Sequence, residues 1–152
     1  MKVLLTNFHR GNGGGHDTYV MSLLGELARN HDITLAVPHT SRLFRLAGSL
    51  ALVRLQALDF SPRGLAWLKE LWVLWRLLSF GRFDIIHVNG SSDHKLVMLT
   101  RLVAVRRPCI VFTKHNDHQS RSVGNSLRAW LGTPCYRRKR LRGDQAERLA
   151  VL

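Results

Sequence analysis

A glycine-rich stretch near the N-terminus has the residue types best suited to bind an anion. Gly11 and residues 13–15 place four glycines within five positions, between a short apolar run and a helical pattern. Glycine lets another molecule approach the main chain closely, and a helix N-terminus offers unpaired N–H groups to phosphate. We therefore predict a diphosphate-binding loop whose members are Gly13, Gly14, Gly15 and His16. The alternative is a tight turn that needs glycine for its geometry only.

Two sharper phosphate motifs are excluded by this sequence. A dinucleotide fingerprint would need glycine where His16 or Thr18 stands, and the acid expected about 20 residues further on is missing. A phosphate loop ending in Gly-Lys-Ser/Thr is excluded because the chain contains no Gly-Lys pair.

Two further polar segments follow apolar runs. They cover residues 89–93 and 114–118 and are rich in Asn, Ser, Lys and His, which bind sugars and phosphates. The substrate-binding residues predicted there are Asn89, Ser91, Lys114 and Asn116. His115 and His118, with His87 or His16, match no recurring zinc spacing, so we predict no metal site.

The elements that must position these groups alternate along the chain. Short apolar runs at residues 3–5, 32–38, 53–57, 84–90 and 109–113 alternate with helical patterns. Asp17 is expected at the N-cap or in the first turn of the first helix, and Ser91, Ser92 and Asp93 are expected to cap a helix over 95–105. This order predicts an α/β, Rossmann-like open parallel sheet with helices on both faces. Ligands of such sheets bind beyond the carboxyl ends of the strands.

The helix predicted after Ser61 and Pro62 has an unusually wide apolar arc. Its expected stripe is Leu65, Leu68, Leu71, Trp72, Trp75 and Leu78. One interpretation is a helix packed deep between the sheet and its neighbours. The other is a surface that contacts a membrane or a partner through Trp67, Trp72 and Trp75, with Lys and Arg reaching lipid head groups.

The composition favours an anionic partner. The 152 residues carry a formal net charge of +13, which attracts phosphorylated substrates, acidic membranes or nucleic acid. Nucleic acid is the least favoured, because RNA-binding and zinc-finger signatures are missing. The sequence begins without a signal-peptide pattern and has no run of 18 apolar residues. We therefore expect a cytoplasmic location, with peripheral contact at the inner face of the cell membrane as an open alternative.

Three segments resemble the N-terminal, acceptor-side half of a GT-B retaining glycosyltransferase, of the GT4-like group that includes lipopolysaccharide-core and mannosyl transferases. Residues 14–20 resemble its Gly-Gly-x-Glu-x-x-Val loop, with Asp17 in place of Glu. Residues 83–89 resemble its Asp-Ile-Val-His-x-His strand, and residues 110–116 resemble its strand ending in His-Gly or His-Asn. The resemblance covers about residues 1–131.

The resemblance implies roles for several residues. Gly14 and Gly15 are expected to line the cleft near the donor diphosphate. His115 is expected near the transferred sugar, and Asn89 and Asn116 near the sugar or the acceptor. A nucleotide-sugar is then the donor substrate, and no other cofactor is expected.

The chain departs from that family in its length. The second, donor-binding domain with its acid pair spaced E-x7-E is expected to be absent, since the chain has only Glu26, Glu70 and Glu147. Residues 132–152 form a basic tail with six basic and two acidic residues, predicted to be poorly ordered or a short helix. A truncated or frameshifted reading frame explains this tail. A basic extension that binds lipid head groups or a separate donor-domain chain is the alternative.

Two functions follow from these patterns. The first is transfer of a sugar from a nucleotide-sugar to a cell-envelope glycan or lipid acceptor, by a chain that is inactive alone. The second is a non-enzymatic basic module that docks on an anionic membrane or on a donor-domain partner.

Overall fold

Nine secondary-structure elements alternate along the part of the chain that the computed structural model describes, residues 1–11, 14–60 and 64–113. Those residues lie in one compact unit, Met1–Asn116. The elements are β1 Lys2–Thr6, α1 Gly15–Leu27, β2 Asp32–Val37, α2 Arg42–Ala47, β3 Val53–Ala57, α3 Ala66–Phe80, β4 Ile85–Val88, α4 Ser91–Val103 and β5 Cys109–Phe112. The predicted strand-helix alternation is confirmed. The predicted domains are residues 1–131 and 132–152. The boundary between them lies outside the described residues and stays a prediction.

The five strands form one parallel sheet in the order β3-β2-β1-β4-β5. From β1 the chain moves outward to β2 and β3, and then returns to the other side of β1 for β4 and β5. The order therefore reverses between β1 and β4, which is where open sheets of this kind bind ligands. The last register pair at this junction joins Thr6 to Val88.

Helices cover both faces of the sheet because neighbouring strand residues point to opposite sides. On one face, Leu5 and Ile33 pack with Val20 and Leu24 of α1 and with Leu43 of α2. On the other face, a second cluster joins strand residues to α3 and α4, and its members include Leu4, Ile86, Leu74, Leu78 and Val97. The expected Rossmann-like fold class is confirmed by this arrangement.

Helix α3 differs from its prediction in its start and in its buried side. It begins at Ala66 with Leu65 as N-cap, whereas Ser61 and Pro62 lie outside the described residues. Gly64 has a φ of 61°, a left-handed conformation that does not continue a helix. The fully buried apolar residues are Leu74 and Leu78, with Leu71 and Trp75 partly buried beside them.

Of the stripe predicted for α3, only Leu71, Trp75 and Leu78 therefore pack against the core. Leu65, Leu68 and Trp72 are 85%, 58% and 55% exposed, respectively. An apolar arc wider than the sheet can cover leaves one edge of the helix uncovered, and the sequence pattern cannot tell which edge that is.

Helix α4 begins four residues earlier than predicted, at Ser91, and Gly90 is its N-cap. The predicted buried side, Leu96, Leu99, Leu102 and Val103, is wrong apart from Leu96, since the other three are exposed. Val97 and Thr100 are buried instead. The Thr100 hydroxyl donates to the Leu96 carbonyl at 2.7 Å, so this polar side chain is satisfied inside the core.

Within the described residues, we find no helix that is both long enough and apolar enough to cross a membrane.

Candidate functional site

The site forms at the junction of β1 and β4, where an asparagine directly follows the last residue of each strand. Asn7 follows Thr6, and Asn89 follows Val88, so the two asparagines occupy matching positions just beyond the last register pair. Adjacent strands lie about 4.8 Å apart. Both asparagines are only 1% exposed. The carboxyl edge of the sheet thus buries two amides side by side at the point where the strand order reverses.

Hydrogen bonds fix one half of each amide. The Asn89 side chain donates through Nδ2 to the Thr6 carbonyl at 2.9 Å. The Asn7 side chain accepts through Oδ1 from the His9 N–H at 3.2 Å. The remaining atoms, Nδ2 of Asn7 and Oδ1 of Asn89, make no hydrogen bond in the part of the chain that the structure describes. An unsatisfied buried polar atom costs about 1–3 kcal/mol, so each needs an explanation.

Asp93 joins the two strand ends to α4. It is the third residue of that helix and is fully buried, and its Oδ2 accepts from the Thr6 hydroxyl at 2.7 Å. Its Oδ1 accepts from the His94 N–H at 3.2 Å. Burial raises the pKa of this carboxyl to about 6. Hydrogen bonds from Thr6 and from nearby backbone N–H groups lower the pKa in part, because they favour the charged form. Since Asp93 has no exposure and is bonded to Thr6, we interpret it as a positioning residue for the edge.

Gly90 lets the first loop approach the fourth strand. A Cβ at this position would stand 2.2 Å from the Phe8 ring and 2.9 Å from Oδ1 of Asp93. No side chain fits in that space. The Phe8 ring therefore lies against the backbone beside Asn89, and the loops after β1 and β4 are in direct contact.

The predicted diphosphate loop is open where it enters α1. Gly14 is the N-cap and Gly15 the first residue of the helix, and a Cβ at either would meet no atom of the described residues within 4 Å. The N–H of Asp17 donates to the Gly14 carbonyl at 3.0 Å and closes the first turn. Asp17 is confirmed as a first-turn acid. Space above a helix N-terminus is what a bound diphosphate requires.

Two histidines lie at the rim of this loop. The rings of His9 and His16 are 4.5 Å apart, and the Phe8 ring lies 4.1 Å from that of His9. Burial lowers the pKa of His9, the neighbouring His16 lowers it further, and Asp17 opposes both effects. His9 therefore favours its neutral form, which can both donate and accept a hydrogen bond.

An ion pair connects the loop after β1 to the segment that follows β3. The Arg10 guanidinium contacts the carboxylate of Asp59 through Nη2 and Nε. The Asp59 N–H in turn donates to Oε2 of Glu70 on α3 at 3.0 Å. The position of the glycine-rich loop is therefore linked to the start of α3.

The remaining predicted polar site residues are only partly covered by the structure. Gly13, Lys114, His115 and Asn116 lie outside the described residues, and their predicted roles stay predictions. Ser91 is the first residue of α4, so it belongs to the helix that follows Asn89 rather than to a loop. Within residues 1–11, 14–60 and 64–113, no group of three or more His, Cys, Asp or Glu side chains could hold a metal ion.

The three predicted membrane-contact tryptophans have different environments. Trp67 and Trp72 are 41% and 55% exposed, and Arg76 lies over the Trp72 ring at 5.6 Å. Trp75 instead packs partly into the core, and its indole N–H donates to the Val103 carbonyl at 3.2 Å. Trp75 is therefore a contact between α3 and α4. We define the α3–α4 outer surface as six exposed apolar residues that lie on these helices or at the N-cap of α3: Leu65, Leu68, Trp72, Leu99, Leu102 and Val103.

The site residues named from the sequence leave out three contributors, although Asp93 lies in the polar segment 89–93. Asn7 carries a usable signal, since it is the first residue beyond a buried strand. The sequence pattern favours a helix cap for Asp93, because it places the start of α4 too late. The pairing of Arg10 with Asp59 joins residues 49 positions apart, and no local pattern indicates it.

Comparison with known proteins gives the chain a family. The model of Glycosyltransferase Family 4 matches residues 13–144. No curated protein matches the chain by sequence. Among solved structures, the chain is similar to MurG from Acinetobacter baumannii, with 15% sequence identity and a TM-score of 0.61. That match covers 86% of this chain but 39% of MurG, so the chain spans well under half of that structure's length.

At 15% identity, the likeness to MurG concerns the fold alone, and it agrees with the expectation that this sheet is one half of a GT-B fold. The family match, in contrast, extends over most of the sequence and includes the glycine-rich loop, Asn89 at the end of β4 and the buried carboxyl of Asp93. The chain belongs to Glycosyltransferase Family 4.

Proposed function

We propose that this chain is the acceptor-side half of a glycosyltransferase, which transfers a sugar from a nucleotide-sugar to a cell-envelope glycan or lipid acceptor. The observation that carries the proposal is the N-terminus of α1 at the strand-order reversal, where no described residue lies within 4 Å of a Cβ at Gly14 or Gly15. Membership of Glycosyltransferase Family 4 supports it. In this proposal Gly13 to His16 contact the donor diphosphate, and Asn89, Ser91, Lys114 and Asn116 contact the sugars.

The finer parts of the proposal follow the sequence resemblance. We propose retention of configuration, membership of the lipopolysaccharide-core and mannosyl transferase group, and a sugar contact by His115. The cytoplasm is the proposed location. A donor-binding domain, on the same or on a separate chain, completes the enzyme. Retention and the need for a donor domain are tested by assaying the chain with and without a donor domain and determining the anomeric configuration of the product by NMR.

A single substitution tests the diphosphate loop in the chain as it stands. Because a Cβ at Gly14 meets no atom of the described residues within 4 Å, we expect Gly14→Leu to fold and to occupy the space of the diphosphate. Saturation-transfer NMR with UDP-glucose, UDP-N-acetylglucosamine and GDP-mannose measures the contact. We expect signal with wild type for at least one donor and loss with Gly14→Leu.

The matched control for that experiment is Gly25→Leu, which places the same side chain in open space in the second half of α1. It should leave the donor signal intact. Equal signals from wild type and Gly14→Leu would contradict the proposed role of the loop.

A second candidate function, docking on an anionic membrane, is favoured by the α3–α4 outer surface. Its apolar side chains lie on two neighbouring helices, and the exposed cations Lys69, Arg76, Arg106 and Arg107 belong to the same helices or follow them directly. Apolar residues flanked by cations are typical of helices that lie in a membrane interface. The same surface is compatible with a glycosyltransferase whose acceptor is a lipid.

Vesicle cosedimentation tests this second function. We expect the wild-type chain to bind vesicles of phosphatidylglycerol and phosphatidylcholine, less at high salt, and a Leu68→Ala/Trp72→Ala variant to bind at least about tenfold more weakly, the loss of about 1.4 kcal/mol. Leu52→Ala is the control, since Leu52 is 68% exposed but precedes β3. Unchanged binding of the double variant would exclude this surface as the membrane contact.

A further inference from the structure

The two asparagine amides at the end of β1 and β4 have complementary free atoms. Asn7 has a free donor, Nδ2, and Asn89 has a free acceptor, Oδ1, within the described part of the chain. The orientation of each amide is set by its other half, because Asn89 must present Nδ2 to the Thr6 carbonyl and Asn7 must present Oδ1 to the His9 N–H. Flipping either amide would lose its bond.

A hydroxyl group is the ligand that matches this pair. A hydroxyl accepts a hydrogen bond through its oxygen and donates one through its hydrogen, so one hydroxyl can satisfy both free atoms at once. A phosphate or carboxylate cannot, since in its ionised form it has no proton to give to Oδ1 of Asn89. A cation cannot satisfy Nδ2 of Asn7. The pair therefore selects a neutral group that is both donor and acceptor.

We propose that Asn7 and Asn89 together form a binding subsite for one hydroxyl of a saccharide at the β1–β4 junction. This inference rests on the proposed function, since it assigns a saccharide to the same edge, and it adds Asn7 as a specificity-determining residue. Asn7 lies outside the three segments that resemble the glycosyltransferase family.

The subsite is covered in the free protein. Both asparagines are 1% exposed, and Phe8 lies against Gly90, the residue next to Asn89. The saccharide reaches the amides when Phe8 moves aside. The same loop carries the half-exposed ion pair between Arg10 and Asp59, and exposed ion pairs of this kind contribute little to stability. Moving this loop is therefore inexpensive compared with unfolding the edge.

The direct test is an NMR titration of the side-chain amide resonances of the 15N-labelled chain. The probes are the methyl glycosides of mannose, glucose and N-acetylglucosamine, together with their monodeoxy analogues. We expect at least one glycoside to shift the amide resonances of Asn7 and Asn89. One deoxy analogue should bind about fivefold to tenfold more weakly than its parent, the loss of a hydrogen-bonded hydroxyl.

Variants make the test specific to the pair. Asn7→Asp keeps Oδ1 for the His9 N–H and, when ionised, replaces the free donor by a charged acceptor, whereas Asn7→Ala removes the whole amide without adding a charge and serves if the first variant does not fold. Either should bind the parent glycoside about fivefold to tenfold more weakly and no longer distinguish it from the deoxy analogue. Asn30→Asp, at an exposed position after α1, makes the same chemical change elsewhere and should behave as wild type. Phe8→Ala should strengthen binding, because the cover is removed.

Three outcomes separate this inference from the proposed function. If glycosides bind Asn7→Asp as well as wild type, or if neither glycosides nor nucleotide-sugars shift either amide, the subsite is overturned and the free atoms are assigned to a buried water. If nucleotide-sugars still contact the Gly14 loop in those samples, the proposed function stands without the subsite. If only nucleotide-sugars, and not free glycosides, shift the two amides, the hydroxyl belongs to the donor sugar rather than to the acceptor.

Discussion

The carboxyl edge between β1 and β4 buries polar groups, whereas the α3–α4 outer surface exposes apolar ones. At the edge, Asn7, Asn89 and Asp93 are at most 1% exposed. On the outer surface, Leu65 and Val103 are 85% and 71% exposed. Both regions reverse the usual placement of residue types in a folded domain. Each reversal lowers stability, and our proposals assign a binding partner to each: a small hydroxylated ligand to the edge and a broad apolar surface to the helices.

The sharpest way to test this contrast is to delete the same side chain on the two sides of α3. Leu74→Ala should lower the free energy of unfolding by about 2–5 kcal/mol, because Leu74 is fully buried against the sheet. Leu68→Ala should change it by no more than about 0.5 kcal/mol, because Leu68 is exposed. Urea denaturation followed by circular dichroism measures both. A large loss with Leu68→Ala would mean that the outer surface is covered in the folded protein.

The buried carboxyl at the edge should make stability depend on pH. The pKa of Asp93 rises from 3.8 to about 6 on folding, so between these values the folded chain holds more protons than the unfolded chain. The contribution of Asp93 to the free energy of unfolding therefore falls as the pH rises from about 4 to 6, by about 3 kcal/mol in total. Asp93→Asn should remove this decrease while keeping an acceptor for the Thr6 hydroxyl.

Urea titrations of wild type and Asp93→Asn between pH 4 and pH 7 measure that difference. Glu26→Gln, at an exposed position on α1, is the charge-matched control and should follow wild type. If Asp93→Asn shows the same pH dependence as wild type, Asp93 is not the titrating group of the edge.

The contact between the two loops should tolerate no side chain at Gly90. Gly90→Ala should lower the free energy of unfolding by about 1–3 kcal/mol, because its Cβ overlaps the Phe8 ring. Adding Phe8→Ala should recover part of the loss. Gly25→Ala, which places its Cβ in open space inside α1, should instead stabilise the chain by about 0.5–1 kcal/mol. Equal behaviour of the two single variants would argue against the close approach of the loops.

The smallest expected effect concerns the ion pair at the rim of the edge. Asp59→Asn should lower the free energy of unfolding by at most about 1 kcal/mol, since both partners are partly exposed and the pair is screened by salt. Denaturation at low and high salt measures it. A loss of several kcal/mol would show that Arg10 and Asp59 hold the edge together, and the loop would then be too rigid for the ligand entry that we propose.

Local pattern is sufficient for the type and order of the elements. The apolar runs around Leu4, Ile33 and Ile86 predict buried strands. The helical spacing of Val20, Leu23, Leu24 and Leu27 predicts the inner side of α1, where Val20 and Leu24 are buried and the other two are partly buried. These patterns succeed because burial on both faces of a parallel sheet requires continuous apolar segments. The rule that ligands bind at strand ends likewise points to the edge and to Asn89 from the residue order alone.

The sequence by itself therefore determined the fold class, the glycine-rich loop and the edge at which the polar residues gather. Only the tertiary structure decided which side of α3 and α4 faces the sheet, since both helices carry more apolar residues than one sheet face can cover. The tertiary structure alone also decided the long-range contacts of the edge. It placed Asn89 against Thr6 and beside Asn7. It also paired Thr6 with Asp93, and Arg10 with Asp59. The physical reason is that the hydrogen-bonded partners are 49 to 87 positions apart, and such contacts follow from the strand order and not from any local pattern.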